Sequence, residues 1–109
     1  MEKRWYRIRF SQKEILNNKA VQLKREFEML YRRSSSPDGM ALLSSKEKSI
    51  DNGAIYYISM PTSFALELSV TMSNYSITTS GEPTLHDLVL IAGEQSWTKY
   101  SLLTKPDNK

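Results

Sequence analysis

Between Lys3 and Arg33 the spacing of apolar residues changes once, and that change restricts the chain to a mixture of strand and helix. Tyr6, Ile8 and Phe10 alternate with Trp5, Arg7 and Arg9, the period of a strand with one face on a core. Beyond Ser11 the apolar residues Leu16, Ala20, Leu23, Phe27 and Leu30 recur at fours and threes, one stripe along a helix. Ser11-Gln12-Lys13-Glu14 opens that helix as a capping box: the Ser11 hydroxyl accepts from the Glu14 amide, and the Glu14 carboxylate accepts from the Ser11 amide. Asn17-Asn18 can part the first turn from the rest, with Asn18 as a second cap. A strand over 3–10 feeding a long amphipathic helix over 11–33 is the expectation.

Beyond residue 33 the elements are shorter. Ser34-Ser35-Ser36-Pro37-Asp38-Gly39 is a loop, and Ala41 to Ser45 a short strand. Asp51-Asn52-Gly53 signals a hairpin, because a type I′ turn needs positive φ at residues such as Asn and Gly. The strand after it, Ala54 to Met60, turns Ala54, Tyr56, Ile58 and Met60 inward and leaves Ile55, Tyr57 and Ser59 outward. Residues 63–75 carry two signals. Phe64, Leu66, Leu68, Val70 and Met72 alternate as in a strand, whereas Ala65, Leu68, Met72 and Tyr75 form a helical stripe behind Pro61-Thr62-Ser63. We read a helix, since a strand here would follow another strand with only three residues between them. A short extended piece near Ser76 to Thr79, a strand from Leu88 to Ala92 and a short helix from Glu94 to Leu103 complete the sequence of elements.

This order describes an α+β fold with a ferredoxin-like split β-α-β (βαββαβ) core and a short C-terminal helix. The chain of 109 residues suits one core, so residues 1–103 are read as a single α+β domain and 104–109 as a polar C-terminal tail. No apolar run approaches the roughly 20 residues of a membrane-spanning helix, and no signal-like stretch follows the charged N-terminus. The sequence has no cysteine, which removes disulfides, thiolate nucleophiles and every Cys-based metal site. A cytoplasmic domain is the expectation, with no membrane partner.

The chemistry is sparse. His86 is the single histidine, without a second one at helical spacing to form a metal pair. Gly93 stands alone between a strand and a helix, and Glu94 puts a negative charge where a phosphate would sit. The acidic residues do not pair in a way that would split their pKa values for acid–base work. No motif supplies a nucleophile together with its base. The expectation is a non-catalytic protein with no cofactor.

What remains is a contact surface. The first 33 residues hold ten Lys/Arg against four Asp/Glu, and the remaining 76 hold five against eight. Two helices on one face of a split β-α-β sheet leave the other face open, and Val89 and Ile91 of an all-apolar strand are expected there with Trp5, Ile55 and Tyr57. An exposed apolar patch of that size marks a contact site, covered by the C-terminal helix through Trp97 and Tyr100 or by a second subunit. The candidate binding residues are therefore Trp5, Arg7, Arg9, Ile55, Tyr57, Val89 and Ile91. A protein partner or self-association comes first. Nucleic acid comes second, because Trp5, Arg7, Arg9 and Tyr57 make an aromatic and cationic platform of the kind that stacks single-stranded bases. Asn52-Gly53-Ala54-Ile55-Tyr56-Tyr57-Ile58 is nevertheless a poor match to the RNA-recognition strand motif, lacking its leading basic residue.

Overall fold

The computed structural model describes residues 2–45, 52–72, 77–84 and 87–93. Its elements are β1 (Lys3–Phe10), α1 (Gln12–Leu16), α2 (Lys19–Arg33), β2 (Ala41–Ser45), β3 (Ala54–Pro61), α3 (Thr62–Met72), β4 (Thr78–Ser80) and β5 (Leu88–Gly93). The five strands form one antiparallel sheet in the order β4-β1-β3-β2-β5. Among the described residues the fold is thus α+β, an open five-stranded sheet with three helices.

The alternation in β1 does what its period requires. Tyr6, Ile8 and Phe10 are buried beneath α2 and α3 in a core shared with Leu23, Phe27, Met40, Leu42, Ile58, Met60 and Leu68. Tyr56 packs against the same core, with its ring edge-on to Phe10 at 5.8 Å. Burial pushes its phenol above the ordinary tyrosine value, and a hydrogen bond with Ser44 opposes that. The Tyr6 hydroxyl reaches Thr62 Oγ1 at 3.2 Å, tying β1 to the first residue of α3.

The long helix expected over 11–33 is two helices. Ser11 and Glu14 form the capping box that begins α1, and α1 ends after one turn and a half. Asn18 then takes a left-handed conformation, φ 63°, and α2 starts behind it. The second cap falls where expected, but the Asn18 side chain makes no capping hydrogen bond. Its role is conformational, since Asn tolerates the left-handed region better than most residues. The break also re-aims the first turn: Leu16 is 75 % exposed, while Ile15 packs on the core. Leu23, Phe27 and Leu30 keep their stripe and are buried.

Residues 62–72 are helical, and Ala65, Leu68 and Met72 are the buried positions. Three-and-four spacing therefore prevails over the alternation of Phe64, Leu66, Leu68 and Val70. The helix begins directly at the end of β3, with Thr62 following Pro61.

The strand order departs from a simple split β-α-β arrangement. In such a unit the strand after the second long helix pairs with the first strand. That place is held by the three-residue β4, opposite Trp5, Tyr6 and Arg7. Leu88–Gly93, expected to be the fourth strand, is a fifth one on the far edge beside β2. The helix expected over 94–103, the polar tail over 104–109, Tyr75 and His86 lie outside the described residues. Of the hairpin signal Asp51-Asn52-Gly53, Asp51 also lies outside them, and Asn52 takes a positive φ of 61°.

Candidate contact surface

Antiparallel pairing sets the side of every strand residue, so the sheet face turned away from α2 and α3 can be read row by row. Arg7 lies opposite Tyr57 of β3 and Thr78 of β4; Tyr57 lies opposite Leu43 of β2, and Leu43 opposite Leu90 of β5. On the neighbouring row of this face Trp5 lies between Ser80 and Ser59, and Ser59 is opposite Ala41. On the other side Arg9 lies opposite Ile55. Crossing the face from β4 to β5, the side chains therefore pass from hydroxyl to cation, aromatic ring and aliphatic chain.

Five of the candidate residues, Trp5, Arg7, Arg9, Ile55 and Tyr57, share this face as expected. Arg7 and Arg9 are exposed, and Trp5, Ile55 and Tyr57 are half-buried. Directly opposed residues of an antiparallel pair have Cβ atoms about 4.5–5.5 Å apart, which puts Arg7 and Tyr57 side by side.

Val89 and Ile91 do not join them. Val89 is paired with Ser44, on the opposite side from Leu43, and Ile91 packs against the core beneath the helices. The residues of β5 that face this way are Leu88 and Leu90. The reason is an irregularity in the β2–β5 pairing between Leu42 and Leu43, where Leu42 meets Ala92 but Leu43 meets Leu90. One extra residue in a strand reverses the side of every residue beyond it.

The apolar end of this face is also closed. Leu43 is 0 % exposed and forms with Leu88 a second buried cluster, with Trp5, Tyr57 and Leu90 packed around it. Ala41 and Ser59 are buried as well. The sequence carried a signal for this cluster in the unbroken run Ala41-Leu42-Leu43, since a strand buried on both faces loses its polar alternation. Leu90 stays half-buried, as Trp5, Ile55 and Tyr57 are, and the exposed side chains on this face are Arg7, Arg9 and Thr78 at the β1–β4 end.

Elsewhere the described residues offer little reactive chemistry. No group of three or more His, Asp or Glu side chains among them is placed to hold a metal ion, and no described helix is long and apolar enough to cross a membrane. At the end of α2, Arg33 pairs with Glu67 of α3 and lies over the Phe64 ring at 5.4 Å. The hydrogen bond from Arg33 holds the Glu67 carboxyl below the usual carboxylate range, and the Arg33 guanidinium is raised in turn. Because the folded-state value is depressed, the pair's stabilisation is complete above the unfolded carboxylate pKa and disappears as pH falls through the folded one. Both partners are well exposed, so the effect on stability is slight. The expected observation is local: in a carboxyl-detected NMR titration Glu67 titrates below the usual carboxylate range, and Arg33→Ala raises it. Unchanged titration in that variant would contradict the pairing.

A scan against protein-family models, a search of curated proteins and a search of solved structures each return no match for this chain.

Proposed function

We propose that this chain is a non-catalytic binding domain whose contact surface is the aromatic and cationic end of the sheet face formed by β1 and β3. The observation that carries the reading is the direct opposition of exposed Arg7 and half-buried Tyr57, flanked by Trp5 and Arg9 on the same face. A guanidinium beside aromatic rings on an accessible sheet suits a ligand with negative charge and flat apolar faces. Single-stranded nucleic acid has both, because phosphates meet Arg while bases stack on aromatic side chains. A protein partner, or a second copy lying on this face, is the lesser reading. The apolar residues it would use, Leu43 and Leu88, are already buried within the chain.

The finer description of the fold as ferredoxin-like belongs to the same proposal. It rests on the inner run of strands β4-β1-β3-β2, to which β5 is an addition that a four-stranded unit lacks. The surplus of Lys and Arg in the first 33 residues supplies a longer-range attraction for a polyanion. A cytoplasmic location remains part of this reading.

Two variants test the roles of the platform residues in a fluorescence-anisotropy assay with a short labelled single strand. Arg7→Gln removes one phosphate contact and is expected to weaken binding across all sequences, with the salt slope smaller by about 1. Trp5→Leu removes a stacking surface, worth about 1–3 kcal/mol per base, and is expected to weaken binding about tenfold with little change in salt slope. Equal affinity in both variants and the parent chain would remove β1 as the contact strand.

A further inference from the structure

The inner row of β1 ends on a charge. Tyr6, Ile8 and Phe10 are buried beneath the helices, and alternation places Arg4 on that same side, opposite Met60 of β3. Arg7 and Arg9 lie on the other side, so Arg4 takes no part in the sheet platform. Among the described residues Arg4 has no ion-pair partner. It forms instead one wall of a shallow groove of about 270 Å³ between α3 and the β1–β4 edge. Tyr6, Ala65, Leu66 and Ile77 give that groove an apolar lining, and no acidic side chain is among its described walls. Thr62 adds a donor: its Oγ1 accepts from the Tyr6 hydroxyl at 3.2 Å, while its own proton meets no acceptor among the described residues.

We propose that this groove binds a small aliphatic carboxylate, with its head on Arg4 and its chain along Ala65, Leu66 and Ile77. Three properties select that class. The guanidinium presents a fork of donors that matches a carboxylate, and one cation balances one negative charge. The lining beside it is apolar, so the rest of the ligand gains by leaving water. The volume lies at the lower edge of the roughly 300–1,000 Å³ of small-molecule sites, which suits a short chain rather than a lipid tail. The groove opens on the helix side of the sheet, and the site is therefore separate from the platform of Trp5, Arg7, Arg9 and Tyr57 on the other face.

Hexanoate is the probe; hexan-1-ol keeps the chain without the charge, and acetate keeps the charge without the chain. In an NMR titration of the labelled full chain, hexanoate is expected to give saturable shifts on Tyr6, Ala65, Leu66, Ser69 and Ile77. A ligand of this size binds with a dissociation constant of about 1 mM. Hexan-1-ol and acetate are each expected to bind the groove at least about tenfold more weakly. Arg4→Gln, at an exposed position, is expected to weaken hexanoate about tenfold and to leave hexan-1-ol unchanged. Leu66→Ser, also at an exposed position, weakens both hexanoate and hexan-1-ol, whereas Arg7→Gln on the opposite face changes neither. Hexanoate shifts that do not saturate, or that survive either groove variant at full strength, would overturn the inference. So would acetate that matches hexanoate, because Arg4 would then hold an adventitious ion only.

Discussion

Phe27→Ala is expected to lower the unfolding free energy by about 3–5 kcal/mol, the cost of deleting a fully buried ring and leaving a cavity behind. Phe27 is 0 % exposed, lies in the middle of α2's buried stripe and meets the Tyr31 ring at 6.2 Å. It belongs to the main buried cluster, with Leu23, Leu30 and Leu68 among its members. Domains of this size are stable by about 5–15 kcal/mol in all, and the substitution therefore removes a large share. Urea denaturation followed by circular dichroism measures it as a lower midpoint. Val21→Ala, on the exposed side of the same helix, serves as the comparison and is expected to stay within about 0.5 kcal/mol. Equal midpoints for the two variants would contradict the assignment of α2's inner face.

Gly93→Ala is the second large effect, and its cause is backbone rather than packing. Gly93 has φ 108°, a conformation that side chains with a Cβ rarely adopt. A Cβ there would lie 2.6 Å from the Met40 carbonyl oxygen and 2.9 Å from Ala41 Cα. Both are main-chain atoms of β2 or its approach, so neither can swing aside. The strained conformation alone costs about 1–3 kcal/mol, and the clash forces the end of β5 away from β2. Gly39 is a useful contrast: its φ is 89°, but an added Cβ would meet only the Lys3 side chain, at 3.3 Å. Gly93→Ala is therefore expected to destabilise more than Gly39→Ala and to speed hydrogen exchange along the β2–β5 pairing first. Protection of Leu42 and Leu43 amides equal to that of the parent chain would contradict the close approach.

How far the sequence revealed this fold varies with the kind of order involved. β1 was legible because period two along eight residues has one physical meaning, and its buried face followed at once. α2 was legible for the same reason at period three-and-four. Asn17-Asn18 announced the break between α1 and α2, but not its consequence, because the left-handed turn at Asn18 moves Leu16 out and Ile15 in. In 62–72 two periods overlapped, and tertiary packing of Ala65, Leu68 and Met72 decided between them. β5 was found as a strand and misplaced in the sheet: an all-apolar run such as Leu88-Val89-Leu90-Ile91-Ala92 carries no alternation to state which side faces where. The irregularity opposite Leu42 and Leu43 then decides it, and that lies in the pairing of two strands rather than in either one. The same limit explains the candidate surface. The five residues on β1 and β3 were placed correctly by their own periods, whereas Val89 and Ile91 depended on a neighbour.

The most direct test of the proposed function is an NMR titration of the labelled full chain with short mixed-sequence single-stranded RNA and DNA, at low and at moderate salt. Binding through the sheet platform predicts shifts gathered on Trp5, Arg7, Arg9 and Tyr57 that shrink steeply as salt rises, because phosphate contacts release counterions. Absence of shifts at low salt, or shifts spread evenly over the basic side of α2, would contradict it.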